Sequence, residues 1–161
     1  MSITLSLLAA LSCSVMAGVQ GLTVASPPAI DQEVELQGRV VCLPERMHQL
    51  YDTELEPNHQ HVYGFQTSDG QLLLLLRTKY SEALFLDERV RAKELRLKGR
   101  IFPKSHIFEV TRTRSVRNGK VFDLYYYCSV CSIETVSPGP CACCQGPVEL
   151  TERPLKERSK H

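Results

Sequence analysis

Five of the seven cysteines in this chain of 161 residues fall between positions 128 and 144, and they supply two C-x-x-C pairs, Cys128/Cys131 and Cys141/Cys144. Two residues between cysteines let one tight turn aim both sulfurs at a common point, and four thiolates so placed suit a tetrahedral zinc ion. The stretch 128–150 has few apolar side chains to bury, so its order must come from a metal, from disulfides or from a host domain. Zinc binding on the order of 10–16 kcal/mol is enough to offset that ordering. The expectation is one structural zinc on Cys128, Cys131, Cys141 and Cys144. Cys143 is then a fifth thiol, available for redox chemistry or for pairing with Cys42. Pro138, Pro140 and Pro147 favour turns over the helix N-terminus where a low-pKa C-x-x-C thiolate is usually found.

A second group is smaller. His59 and His61 are two apart on an expected strand, hence on one face, and His48 can join them from the preceding loop with Cys42 nearby. Such a set binds copper or zinc, although histidines at a loop-to-strand junction are ordinarily just solvated. No Ser/His/Asp order, phosphate loop or H-E-x-x-H occurs, and Glu54/Glu56 and Asp87/Glu88 have ordinary surface spacings. The chain therefore reads as non-enzymatic.

These residues need elements to hold them. Residues 34–43 alternate as a strand with Gly38 where a bulge or sharp curl belongs, and Pro44 ends it. Residues 44–59 show no clean period and read as a long loop with at most one helical turn. A second strand is expected over 59–67, a turn at Ser68-Asp69-Gly70, and a third strand over Leu72–Leu76. Five consecutive leucines give that strand two apolar faces, so the outer one calls for a cover, which Tyr125–Tyr127 and the cysteine segment are placed to supply. Residues 79–91 have helical spacing after a Thr78 cap. Strands follow over 94–102, 106–116 and 121–127, the last two joined by an Asn118-Gly119 turn of type I′.

The order strand, strand, strand, helix, strand, strand matches an oligonucleotide/oligosaccharide-binding (OB) fold. The expected class is thus mainly β: a small OB-like five-stranded β-barrel with one helix, a C-terminal hairpin extension and a short zinc knuckle. The barrel takes 33–127, the knuckle 128–150, and 151–161 is expected to be a disordered charged tail.

The knuckle looks like a short zinc ribbon. It resembles the small heavy-metal-binding module of bacterial cation-transport and efflux proteins in Tyr126-Tyr127-Cys128, in Pro138-Gly139-Pro140-Cys141 and in Gly146 after the last cysteine. In that family the second ligand is usually histidine and a methionine follows the last pair. Here those places hold Cys131 and Pro147, which favours a closed zinc site over a copper-handling one.

Charge and the N-terminus bound the partners. The formal net charge is +1, yet residues 89–120 carry eleven Lys and Arg against Glu94 and Glu109. OB barrels bind single strands along such positive grooves, but Arg96, Lys98 and Arg100 alternate with apolar residues as any solvated strand face does. Residues 1–25 have an apolar run too short to span a bilayer and small residues suited to cleavage, so they read as a signal peptide, with 26–32 as linker. No basic residue precedes Arg39, and Cys13 keeps a lipoprotein or uncleaved anchor in view. The sequence thus points to a periplasmic or secreted binding or assembly module with a protein partner and no transmembrane domain in the mature chain. A metal-handling or thiol-redox protein is the first alternative, and a single-stranded nucleic-acid binder the second.

Overall fold

The computed structural model describes residues 32–155. The expected signal peptide, most of the linker and residues 156–161 of the expected tail lie outside them.

Eight strands form one sheet: β1 Glu33–Cys42, β2 Tyr63–Thr67, β3 Leu72–Leu76, β4 Glu94–Ile101, β5 Ile107–Arg117, β6 Lys120–Cys128, β7 Ile133–Thr135 and β8 Glu149–Pro154. Five of them close into a ring. β1 pairs β2 and β4, β2 pairs β3, β4 pairs β5, and a parallel β3–β5 pairing completes the circuit, every other pairing being antiparallel.

Two glycines bend the strands so that the ring closes. Gly38 is the one residue of β1 paired with both neighbours, Leu95 on β4 and Thr67 on β2, so the strand changes partner there. A Cβ at Gly38 would lie 2.0 Å from the Gln66 carbonyl oxygen, which is why only glycine allows so close an approach. Gly99 plays the same part on β4, where the register with β5 shifts between Lys98 and Gly99. Gly38 thus makes the curl expected of it.

The core fills the ring with Phe65, Leu73, Leu75, Leu95, Leu97, Phe108 and Val110, joined by Ala83, Leu84 and Val90 from the segment between β3 and β4. That segment departs from the single helix expected over 79–91. It forms α2 (Glu82–Leu86) and α3 (Glu88–Arg91), broken at Asp87, whose backbone is extended. The break is made by Asp87 itself, whose side chain accepts from the Arg89 N–H and caps α3. Thr78 is not the cap; Ser81 precedes α2, and its hydroxyl donates to the Leu76 carbonyl at 2.7 Å.

A longer helix, α1 (Leu43–Tyr51), occupies what read as loop. Pro44 starts it, because a first-turn position asks for no N–H donor, and Asp52 ends it in the left-handed region at φ 52°. Among the described residues no helix is long and apolar enough to cross a membrane.

The five-leucine strand buries one face only. Leu73 and Leu75 point into the core, where Tyr126 is also found, whereas Leu74 and Leu76 remain 37% and 38% exposed. The expected cover over the outer face is thus incomplete.

β6 leaves the ring. The turn at Asn118 (φ 51°) and Gly119 (φ 73°) has the paired positive angles of type I′ and starts β6 along the end of β5. β6 then runs on to Cys128 with β7 on the same edge as β5 and β8 along the other. The residues read as a tail thus contribute a strand through Pro154. On one face Leu150 packs against the core and Glu152 pairs with Lys93 at 3.0 Å, and on the other Arg153 pairs with Glu134 at 2.8 Å, so the alternating charged segment finds a partner on each face.

Candidate metal centre

Cys128 is the last residue of β6, and the hairpin to β7 turns immediately after it. The Ser132 N–H donates to the Cys128 carbonyl at 2.8 Å, with Ser132 at φ 55°. The second pair repeats the device: the Gln145 N–H donates to the Cys141 carbonyl at 2.9 Å, with Gln145 at φ 58°. In each half the residue after the second cysteine adopts a left-handed conformation and folds the turn back on itself. A bridge between Pro140 and Pro147, with the Cys141 N–H donating to the Gly146 carbonyl at 2.8 Å, closes the second half.

The two turns face each other. Ligand atoms of Cys128, Cys131, Cys141 and Cys144 all lie within 4.8 Å of one another, and the sulfurs of Cys128 and Cys144 are 3.6 Å apart. A tetrahedron with Zn–S bonds of about 2.3 Å has sulfur–sulfur edges of about 3.8 Å. The thiols therefore fit a metal such as zinc with little movement. Cys128 and Cys141 are buried, Cys131 is half-buried and Cys144 is exposed, so the centre has a core side and a solvent side.

Local electrostatics already separate the thiols. The Cys144 and Cys143 backbone N–H groups point at the Cys141 sulfur and bring its pKa down to about 7, against the opposing effect of burial. The Cys131 thiol is pushed up instead, by neighbouring Cys143 and Cys144 thiols and by burial. Near neutral pH the surroundings of Cys141 thus favour the thiolate that binds a cation, and those of Cys131 do not. Cys143 itself is exposed and outside the four-sulfur group, next to Cys131.

Behind the centre stands Tyr126, fully buried two residues before Cys128. Its hydroxyl donates to Asp87 at 2.7 Å, and Asp87 also receives the Arg89 guanidinium through bonds of 3.0 and 2.7 Å. Those bonds hold the Asp87 carboxyl at a pKa of about 2 despite its burial. This tie between β6 and the break in the helical segment has no local signature, since its partners are 39 residues apart.

The second expected group is altered. Cys42, His59 and His61 do converge, but the fourth member is Glu45, not His48. His48 is on α1 with its Nδ1 2.5 Å from the Thr53 carbonyl oxygen. Glu45 was missed because it lies in the first turn of a helix that read as loop. β2 begins only at Tyr63, so both histidines sit on its extended lead-in.

The basic run also looks different in three dimensions. Lys98 pairs with Glu33, Arg100 with Glu109, Arg114 with Glu35 and Asp123, and Arg117 with Glu152. Arg89 is held by Asp87, and Arg91 donates to the Phe85 carbonyl at 2.9 Å while lying over Tyr63. Much of the local excess is met by carboxylates from elsewhere in the chain.

Fold and site together define a mainly β protein with a five-stranded ring and a candidate four-cysteine metal site beyond the C-terminal end of β6. Comparison of the chain with family models, with curated proteins and with solved structures found no match.

Proposed function

We propose that this is a non-enzymatic, exported binding or assembly module: an OB-like barrel whose C-terminal ribbon is held by one structural zinc on Cys128, Cys131, Cys141 and Cys144. The observation that carries the reading is the convergence of four thiols, from two turns of the same construction, to within 4.8 Å. A closed donor set leaves no coordination position for substrate, which favours a structural over a catalytic metal. The zinc fixes the end of β6 and the start of β8. Leu74 and Leu76, on the outer face of β3, supply apolar side chains for a protein partner. The internal ion pairs of the basic run weigh against a single-stranded nucleic-acid ligand.

The test is Cys131→Ser. Zinc content measured on the purified chain is expected to fall from one equivalent to near none, with loss of amide protection over 128–150 and retention of it over β1–β5. Unchanged zinc in this variant would sink the assignment.

A metal-handling or thiol-redox role is the second reading, favoured by the exposed Cys143 thiol beside Cys131. It requires that zinc exchange to an acceptor, or that Cys143 cycle between thiol and disulfide. Zinc that does not exchange, with Cys143 freely alkylated and Cys143→Ser without effect on metal content, excludes it.

A further inference from the structure

At the opposite end of the chain from the four cysteines, Cys42, Glu45, His59 and His61 bring one ligand atom each to within 4.8 Å of the others. The Cys42 sulfur is 3.5 Å from His59 Nε2 and 3.3 Å from His61 Nδ1, and a Glu45 carboxylate oxygen is 3.3 Å from the first nitrogen and 3.8 Å from the second. Around a tetrahedral ion with metal–S of about 2.3 Å and metal–N or metal–O of about 2.0–2.1 Å, the edges are roughly 3.6 Å for sulfur to nitrogen and roughly 3.3 Å for nitrogen to oxygen. The observed separations lie on or close to those values.

The chemistry of the donors points the same way. His59 Nδ1 is 3.1 Å from the Glu56 carbonyl oxygen, which can only accept, so that nitrogen carries a proton and, in the neutral ring, Nε2 presents a lone pair. That lone pair faces a carboxylate oxygen, and two acceptors at this distance need a cation between them. Fixing a ligating histidine through a carbonyl on its other nitrogen is how metal sites set the tautomer. The scaffold is built rather than incidental. The Leu43 N–H donates to the Val62 carbonyl at 2.7 Å, which clamps the histidine segment to the start of α1, and the His61 ring stacks on Tyr63 at 5.9 Å.

We propose that Cys42, Glu45, His59 and His61 form a second site, for a divalent transition-metal ion of zinc's preferences. It is more exposed than the four-cysteine centre, since none of its four members is buried and the Glu45 and His61 side chains are 47% and 55% exposed. A mixed S, N, O donor set at the surface exchanges its ion with solution, so this is the place where the protein takes up or gives up metal. The proposal does not depend on the structural zinc reading, because the two sets share no residue.

The experiment uses the full chain with its tight zinc in place, titrated with Co2+. Expected is saturable uptake of one equivalent, with the absorption of a four-coordinate ion and a thiolate-to-cobalt charge-transfer band. Cys42→Ser abolishes that band, and His61→Ala and Glu45→Gln, both at exposed positions, weaken uptake about tenfold or more, the scale on which lesser, second-shell changes already act. Zinc measured alongside stays at its one equivalent while the cobalt band develops; zinc displaced in step with the band would instead place the cobalt on the four cysteines, which separates the two sites. Absence of saturable cobalt uptake, or equal uptake by wild type and His61→Ala, overturns the proposal. The group would then be a His59–Glu45 ion pair, with a proton as its cation.

Discussion

The contact between Tyr126 and Asp87 carries a stability prediction that can be worked from the structure. Asp87 is buried, accepts four hydrogen bonds from Tyr126 and Arg89, and has its pKa lowered from 3.8 to about 2. A carboxyl whose folded pKa lies below its unfolded value stabilises the fold above the unfolded pKa, and that contribution is lost as pH falls through the folded pKa. The shift corresponds to about 2 kcal/mol at pH 7. Asp87→Asn keeps shape and one acceptor but removes the charge, so it is expected to cost about 2 kcal/mol at pH 7 and about 0.5 kcal/mol at pH 2. Urea unfolding of both proteins at each pH measures this, because the difference between them cancels every other group that titrates, thiols included. Tyr126→Phe is expected to cost about 1.5–3 kcal/mol as a hydrogen bond to a charged group, and the double variant less than the sum. A pH-independent gap between wild type and Asp87→Asn, or strict additivity with Tyr126→Phe, would refute the reasoning.

The other predictions concern backbone. Ser132 and Gln145 sit at φ 55° and 58°, where a side chain costs about 1 kcal/mol. Ser132→Gly or Gln145→Gly is therefore expected to tighten metal retention several-fold in a chelator competition; weaker retention would show that those side chains, not the angle, matter. Gly38→Ala places a methyl 2.0 Å from the Gln66 carbonyl oxygen and is expected to lower stability by about 3 kcal/mol or more, since backbone cannot step aside as a side chain can. Gly70→Ala, in open space at φ 91°, should cost only about 1 kcal/mol in the same urea assay. Equal losses at the two glycines would mean that the corner of β1 is not tight.

The parts of this molecule that were legible in its sequence are those governed by local rules. The two-residue spacing of the cysteines, the period of β3 and β4, and the Asn118-Gly119 turn each carry their geometry within a few residues. α1 was hidden because it buries none of its residues, so no apolar stripe marked it, and Pro44 reads equally as a strand's end or a helix's first turn. With α1 unseen, Glu45 could not be placed beside Cys42, and His48 was put in its stead. The helical period over 79–91 was present, but its break depends on Asp87, whose deepest contact is with a tyrosine on a strand yet to come. β8 has the composition of a solvated tail; it is a strand because Lys93 and Arg117 receive Glu152 and because β6 offers a free edge.

The order of assembly follows from where the second cysteine turn lies. β8 must return to β6 after the chain has travelled through residues 128–148, with Tyr127 opposite Glu149. Each turn can form by itself, since its donor and acceptor are four residues apart, as in Ser132 with Cys128. An ion that joins the turns ties position 144 to position 128, leaving only 145–148 to close. Shortening the closing segment this much removes about 1.5 kcal/mol of loop entropy. An ion held there would act on timing as well as clasping the two turns: with the closing segment shortened, β8 would dock earlier than in the metal-free chain.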